Sequence, residues 1–261
     1  MLDSQTLAKH GRAVQLIVGT GSRDDVEKAV DQLIEAGEWD MCTVLLTTGA
    51  ELGARVLVAR LIAAKQYDPL AFAACTRRQI KATQQTLRPG QTARRVFRDI
   101  DAETEGTAIP EHIKTEMDDL ASQADDARFI ADRREAERDA CAIRAFIVTE
   151  LGKVMTGNVD AIKALISIVR AAAWEDTKRA AALKLLTDDS VMPKLAEANR
   201  VDDMVYIANA CGLDSASEKV AEILAPKLDE LLEKKNRVAI RLIGRYHSDQ
   251  ATRDKANAAL Q

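Results

Sequence analysis

The sequence predicts an all-α protein arranged as an α-solenoid, that is, a stack of helical hairpins. Apolar residues make up 47% of the 261 residues but aromatic residues only 3%, so alanine, leucine, isoleucine and valine must fill the core. Such small side chains let helices pack closely. No run of alternating β-branched or aromatic residues predicts a strand. A short pattern at helix ends also recurs along the chain, which is typical of repeat arrays.

The recurring pattern consists of two apolar residues, a small residue, a short turn, a bulky apolar residue and an acid. It is clearest at Leu33–Asp40 and Leu61–Asp68, and further copies begin at Ile168 and Leu195. We expect the bulky residue to pack back onto the previous helix. The acid is expected to cap the next helix and to favour its dipole.

The stretch from residue 160 to 198 contains the copy at Ile168 and the start of the one at Leu195, and it is rich in alanine and leucine. Without gaps, eight residues between Asp25 and Trp39 face residues of the same character between Asp160 and Trp174. This match predicts that Trp174 is a packing residue at a helix corner, equivalent to Trp39.

A glycine pair, Gly19 and Gly21, precedes the second predicted helix and resembles the start of a dinucleotide-binding loop. The third glycine of that fingerprint is missing, since Asp24 stands in its place, and an acidic helix start would repel a pyrophosphate. We therefore expect a helix stop at the glycines, followed by Ser22 as N-cap with Asp25 at the third helical position.

Between residues 69 and 98 the chain holds seven basic residues and no acid. This stretch is the candidate interaction surface, and it could bind phosphate, nucleic acid or an acidic partner. Alternatively it is a solvated face, or one neutralised within the chain, because residues 99–139 carry fourteen acids against five bases. The candidate residues are Arg77, Arg78, Lys81, Arg88, Arg94, Arg95 and Arg98.

Two stretches resemble known helical repeats. The sequence WEDTKRAAAL over residues 174–183, with Thr187-Asp188 after it, resembles HEAT-type repeats, and the corner at Leu33–Asp40 is similar to a tetratricopeptide-type hairpin. The resemblance implies an α-solenoid with a protein-binding surface. We expect an N-terminal repeat block over residues 1–98, an acidic connection with a long charged helix over 99–157, and a HEAT-like block over 158–261.

No catalytic or metal-binding motif is present. His10, His112 and His247 lie in different segments, none beside a cysteine or carboxylate at ligand spacing. The four cysteines are far apart and include no CxxC pair, so we expect free thiols. There is no signal peptide and no 18-residue apolar run, which predicts a cytoplasmic protein that does not bind membranes.

These observations predict a non-enzymatic scaffold or adaptor for protein partners, or a subunit of a larger assembly, without metal or cofactor. One alternative is a nucleic-acid-binding repeat protein that uses the basic stretch at 77–98, although the net charge of −4 argues mildly against it. The second is an enzyme with a site between helices, which would require a pocket that joins a histidine to a carboxylate. The oligomeric state stays open.

Overall fold

The structure is a computed structural model, and it describes residues 4–18, 21–48, 51–76, 138 and 140–261. Every regular element in these ranges is helical and none is a strand, so the prediction of an all-α fold is confirmed. No helix in the described ranges is long and apolar enough to cross a membrane. The cytoplasmic location stays a prediction.

Five helices precede residue 77, and nine α-helices with one 3₁₀ turn lie in the part described after residue 139. The first five are α1 (Ser4–Val18), α2 (Arg23–Glu35), α3 (Trp39–Thr48), α4 (Glu51–Ala63) and α5 (Asp68–Thr76). The later ones are α6 (within 140–154), α7 (Val159–Ala171), α8 (Glu175–Thr187), α9 (Val191–Glu197), α10 (Val201–Cys211), α11 (Asp214–Leu224), a 3₁₀ turn (Ala225–Lys227), α12 (Leu228–Glu233), α13 (Arg237–Tyr246) and α14 (Gln250–Ala258).

The predicted start of the second helix is confirmed. The Ser22 side chain accepts a hydrogen bond from the Asp25 backbone N–H at 3.3 Å, which satisfies one of the free donors at the beginning of α2. The Asp25 carboxylate in turn accepts a hydrogen bond from the Ser22 hydroxyl at 2.6 Å. This turn is therefore a helix cap.

The chain divides into two compact units, one formed by Met1–Arg77 with Ile143–Gln261 and the other by Arg78–Ala142. Nearly all of the second unit lies outside the described residues. The first unit has a continuous apolar core to which helices on both sides of the gap contribute, including Leu33, Leu57 and Leu165. The predicted block boundaries after residues 98 and 157 stay predictions.

Within the first unit, helices α3, α5, α7, α10 and α13 contact one another in sequence. Helix α3 packs against α5, α5 against α7, α7 against α10, and α10 against α13. We call this set the helix row. Helices that precede the row members in the chain, such as α2, α4, α8 and α11, pack on them or on each other.

Four of the turns that lead into the row share one hydrogen-bond pattern. At each turn a residue adopts a left-handed conformation, and two backbone N–H groups bond back to the end of the preceding helix, as in the Schellman motif. At the first turn Gly37 bonds to the carbonyl of Ile34 and Glu38 to that of Leu33. The left-handed residues are Gly37, Lys65, Asn199 and Lys235, with φ of 69°, 56°, 55° and 54°.

The fifth turn, before α7, also has a left-handed residue, Gly157 with φ of 73°. The residue after it, Asn158, caps α7 by accepting a bond from the Ala161 N–H at 3.2 Å, and its amide donates to the Tyr67 hydroxyl at 2.7 Å. Asn236 stands at the same place before α13 and makes the same two kinds of hydrogen bond, one to its own helix and one to the first turn of α10. These side chains therefore tie successive turns of the row together.

The turn before α13 shows the same arrangement in full. Asn236 accepts from the Ala239 N–H at 3.2 Å and donates to the Asp202 carboxylate at 3.1 Å. The acids of the pattern occupy the first helical turn without acting as caps, so the prediction that they cap the helices was wrong. Their position still favours the helix dipole.

The predicted copy at Ile168 does not have the shared geometry. Ala172, which takes the place of Gly37, is extended, with φ of −61° and ψ of 139°. The copy that replaces it lies at Leu231–Val238, where Lys235 is left-handed. The ungapped match of Asp25–Trp39 to Asp160–Trp174 pairs α7 with α2, whereas the left-handed turns pair α7 with α3. The match therefore reflects helical periodicity and not an equivalent turn.

Candidate functional site

The seven basic residues predicted as an interaction surface, Arg77 to Arg98, lie outside the described residues. Their role stays a prediction, as does their neutralisation by the acidic stretch that follows. Among the described residues, the candidate sites are a polar cleft with a first charged cluster, two further charged clusters, a buried histidine and the exposed face of the helix row.

The polar cleft has a volume of about 470 Å³ and is lined by α11, the end of α13 and the turn into α14. It joins a histidine to a carboxylate, since His247 Nε2 lies 3.2 Å from Glu222 Oε2. Such a pair between helices is what the enzyme alternative requires. Its hydrogen bonds decide whether the imidazole is available for chemistry.

Both ring nitrogens of His247 are engaged. The Asp249 backbone N–H donates to Nδ1 at 3.1 Å, so the ring proton is on Nε2 and is donated to Glu222. Glu222 also accepts the Ser248 N–H at 2.8 Å. Hydrogen bonds from Ser248, the side chain first and then the backbone, lower the pKa of Glu222. The arrangement holds the α13–α14 turn against α11 and occupies both ring nitrogens of His247 with structural hydrogen bonds.

A second charged cluster links α7 to α10 within the row. Asp203 is 95% buried in its side chain, and its two oxygens contact Arg170 Nη1 at 2.8 Å and Arg200 Nε at 2.5 Å. The Arg170 guanidinium also lies 5.1 Å from the centre of the Tyr206 ring. A buried carboxylate must be paired, and here two half-exposed arginines do so, which fixes the spacing of two row helices.

The third cluster surrounds Trp174, the residue predicted to pack at a repeat corner. Trp174 is half-buried at the start of α8, and the guanidinium of buried Arg144 lies 3.9 Å from the centre of its ring. Arg144 Nε donates to the Thr177 hydroxyl at 3.2 Å. Trp174 therefore packs, as predicted, but against a cation from α6 in a turn that is not equivalent to that of Trp39.

A buried histidine connects α1 to the first turn of the row. His10 Nε2 lies 3.2 Å from Glu38 Oε1, and its buried Nδ1 has no hydrogen-bond partner among the described residues.

Burial raises the pKa of the nearby Cys42 thiol to about 11. No three His, Cys, Asp or Glu side chains in the described ranges are grouped to hold a metal ion.

The helices of the row also expose large apolar side chains. Each of the five helices exposes one such side chain among the described residues. The two aromatic ones, Phe72 and Tyr206, are 55% and 52% exposed. The full set is Val44, Phe72, Val159, Tyr206 and Val238.

The charge of this face changes sign along the row. An exposed aspartate stands in the first turn of each of the first four row helices, and the fifth, α13, exposes three arginines and no acid. The acids are Asp40, Asp68, Asp160 and Asp202, and the arginines are Arg237, Arg241 and Arg245.

The row face is therefore the candidate functional site, since it combines exposed apolar side chains with charges of both signs on neighbouring helices. It contains no arrangement of nucleophile, base and acid that points to catalysis. The chain matches no protein-family model, no curated protein and no solved structure.

Proposed function

We propose that the protein is a non-enzymatic scaffold, built as a HEAT-like or tetratricopeptide-like α-solenoid, that binds a protein partner along the helix row. The observation that carries this proposal is the apolar side chain exposed once on every helix of the row. Two lines of reasoning support it, one from the repeated turns and one from the placement of these side chains.

The repeated turns support an array of similar hairpins. Four turns share the Schellman pattern and a fifth shares its left-handed residue, here Gly157, so successive row helices start in nearly the same way. Contacts run from each row helix to the next. In repeat arrays, stacking of this kind produces an extended surface that binds partners.

The placement of three of the apolar side chains supports a shared binding face. Exposed apolar residues scattered singly need no explanation. Here Val44, Phe72 and Tyr206 each stand seven positions after the left-handed residue of their turn. They consequently occupy the same place on their helices and point out of the same face.

A binding experiment with two sets of variants tests the proposal. Partners are captured from the source cell with the tagged protein, identified, purified and measured by calorimetry. Phe72→Ser with Tyr206→Ser is expected to weaken binding about tenfold or more, since buried aromatic anchors dominate interface energies. The fold should survive because both side chains are exposed.

The matched control replaces exposed leucines outside the row. Leu183 and Leu213 are 38% and 40% exposed, and changing both to serine removes a similar apolar surface elsewhere. Affinity should then stay within about twofold of the parent. Equal losses from both pairs, or no loss from the aromatic pair, would contradict a binding line along the row.

A further inference from the structure

The arginines of α13 form the most regular charged feature on the row. Arg237, Arg241 and Arg245 are spaced four residues apart and are all exposed, whereas the opposite side of the helix buries apolar residues such as Ile240 and Ile243. Residues four apart lie on one side of a helix. We call these three side chains the arginine stripe.

The position of α13 is fixed by its neighbours. The helix packs on α11 and α14, and the Asn257 amide donates to the Gly244 carbonyl at 3.0 Å. A Cβ at Gly244 would clash with the side-chain amide oxygen of Asn257, so α13 and α14 approach closely here. The stripe is therefore held on a rigid support.

None of the ion pairs among the described residues involves the arginine stripe. Nearby lysines are paired, since Lys219 contacts Asp189 and Lys255 contacts Asp229, each at 2.5 Å. Like charges four residues apart on a helix repel each other, and no carboxylate offsets that repulsion here. At the C-terminal end of the stripe, the Arg245 guanidinium lies 5.0 Å from the centre of the Tyr246 ring.

From these observations we propose that the arginine stripe binds an acidic segment of the protein partner in extended conformation. Four helical residues rise about 6 Å, and alternate side chains of an extended chain stand about 6.7 Å apart. Carboxylates on every second residue would thus face successive arginines. The planar guanidinium group suits this contact, because it pairs with a carboxylate through two parallel hydrogen bonds.

The surroundings of the stripe favour a peptide over a nucleic acid. Val238 is exposed on the same helix, and Tyr206 on the neighbouring α10, so apolar side chains border the stripe. Proteins that bind single-stranded nucleic acid combine a positive groove with several stacking aromatics. Among the described residues of the row, Phe72 and Tyr206 are the exposed aromatic side chains, and of these only Tyr206 lies on a helix that contacts α13.

The inference rests on the proposed function, since it names the partner chemistry for one end of the same row. Its test uses the full chain and defined probes. The first probe is a fluorescein-labelled nonapeptide that alternates Glu and Val, the second is its Gln–Val counterpart, and the third is a single-stranded oligonucleotide of equal charge. Fluorescence anisotropy measures the affinity of each at several salt concentrations.

The Glu–Val peptide is expected to bind, with an affinity that falls as salt rises, and the Gln–Val peptide is not. Combined substitution of the arginine stripe by glutamine should weaken binding about tenfold or more. The control makes the same charge change at three exposed residues outside the row and its turns, Arg12→Gln, Lys28→Gln and Arg179→Gln, and should leave the affinity unaltered.

Three results would overturn the inference: equal losses from both triple variants, no loss from the stripe variant, or tighter binding of the oligonucleotide than of the peptide. Its failure is separable from that of the scaffold function. If the acidic peptide does not bind but the captured partner still requires Phe72 and Tyr206, the scaffold function stands and the stripe has no part in recognition.

Discussion

Replacing Lys65 or Lys235 by glycine is expected to stabilise the protein. Both residues are left-handed, with φ of 56° and 54°, which costs a residue with a Cβ about 1–2 kcal/mol. Glycine avoids that cost but loses about 0.5–1 kcal/mol more through its freedom in the unfolded chain. Both lysine side chains are exposed and make no hydrogen bond, so each substitution should gain about 0.5–1 kcal/mol.

Two further positions make the prediction specific to the turn geometry. Asn199 has the same conformation, with φ of 55°, but asparagine tolerates it better than lysine does, so Asn199→Gly should gain less. Ala172 takes the place of the left-handed residue in the predicted copy at Ile168, yet it is extended and 3% exposed. Ala172→Gly should therefore lose about 1–2 kcal/mol.

Urea unfolding followed by circular dichroism measures the free energy of unfolding of each variant. Since the positions are far apart, Lys65→Gly and Lys235→Gly should add, and each should raise Tm by about 1–4 °C. If both lysine variants lost as much stability as Ala172→Gly, the left-handed turns would be refuted. A gain from Ala172→Gly would show that the copy predicted from sequence has the shared geometry after all.

Three further predictions concern packing, pH and thiol reactivity. Gly53→Ala should lower the free energy of unfolding by about 1–3 kcal/mol, because its Cβ would lie 2.4 Å from a carbonyl oxygen of α1. The matched change Gly11→Ala meets nothing within 4 Å and should gain up to about 1 kcal/mol. The pKa of Glu222 is lowered below its ordinary 4.5 in the folded protein. Its ionised carboxylate therefore stabilises the fold fully above pH 4.5, and this contribution is lost as the pH falls through the lower folded pKa. Glu222→Gln should consequently reduce the loss of Tm on acidification. The buried Cys42 thiol, with its pKa raised to about 11, should react with an aromatic disulfide at neutral pH far more slowly in the folded protein than in urea.

The sequence predicted the helical class because apolar periodicity and alanine content depend only on local chemistry. It also located the turns at Leu33 and Leu61, where small residues and a following bulky residue favour the Schellman geometry. The turn at Leu231 escaped prediction because Arg237 and Val238 replace the bulky residue and the acid. Lysine at a left-handed position gives no recognisable signal, since tertiary packing imposes that conformation against the residue's own preference.

The candidate surface could be predicted only in part. The arginines of α13 are visible in the sequence, and their four-residue spacing indicates one helix face. The pairing of His247 with Glu222 brings together residues 25 positions apart across two helices, and no local pattern encodes it. The same applies to Asp203, whose burial between Arg170 and Arg200 depends on how α7 meets α10.

The left-handed turn links the fold to the binding surface, because it sets the rotation of the helix that follows. Seven positions after it, α3, α5 and α10 expose Val44, Phe72 and Tyr206, whereas α7 buries Ala164 and α13 buries Leu242 at that place. The apolar line is thus interrupted at α7, where the exposed residues nearby include Arg170, and again at α13, where the arginine stripe takes over. On the proposed function, a partner that follows the row would meet apolar side chains on α3, α5 and α10 and arginines on α13.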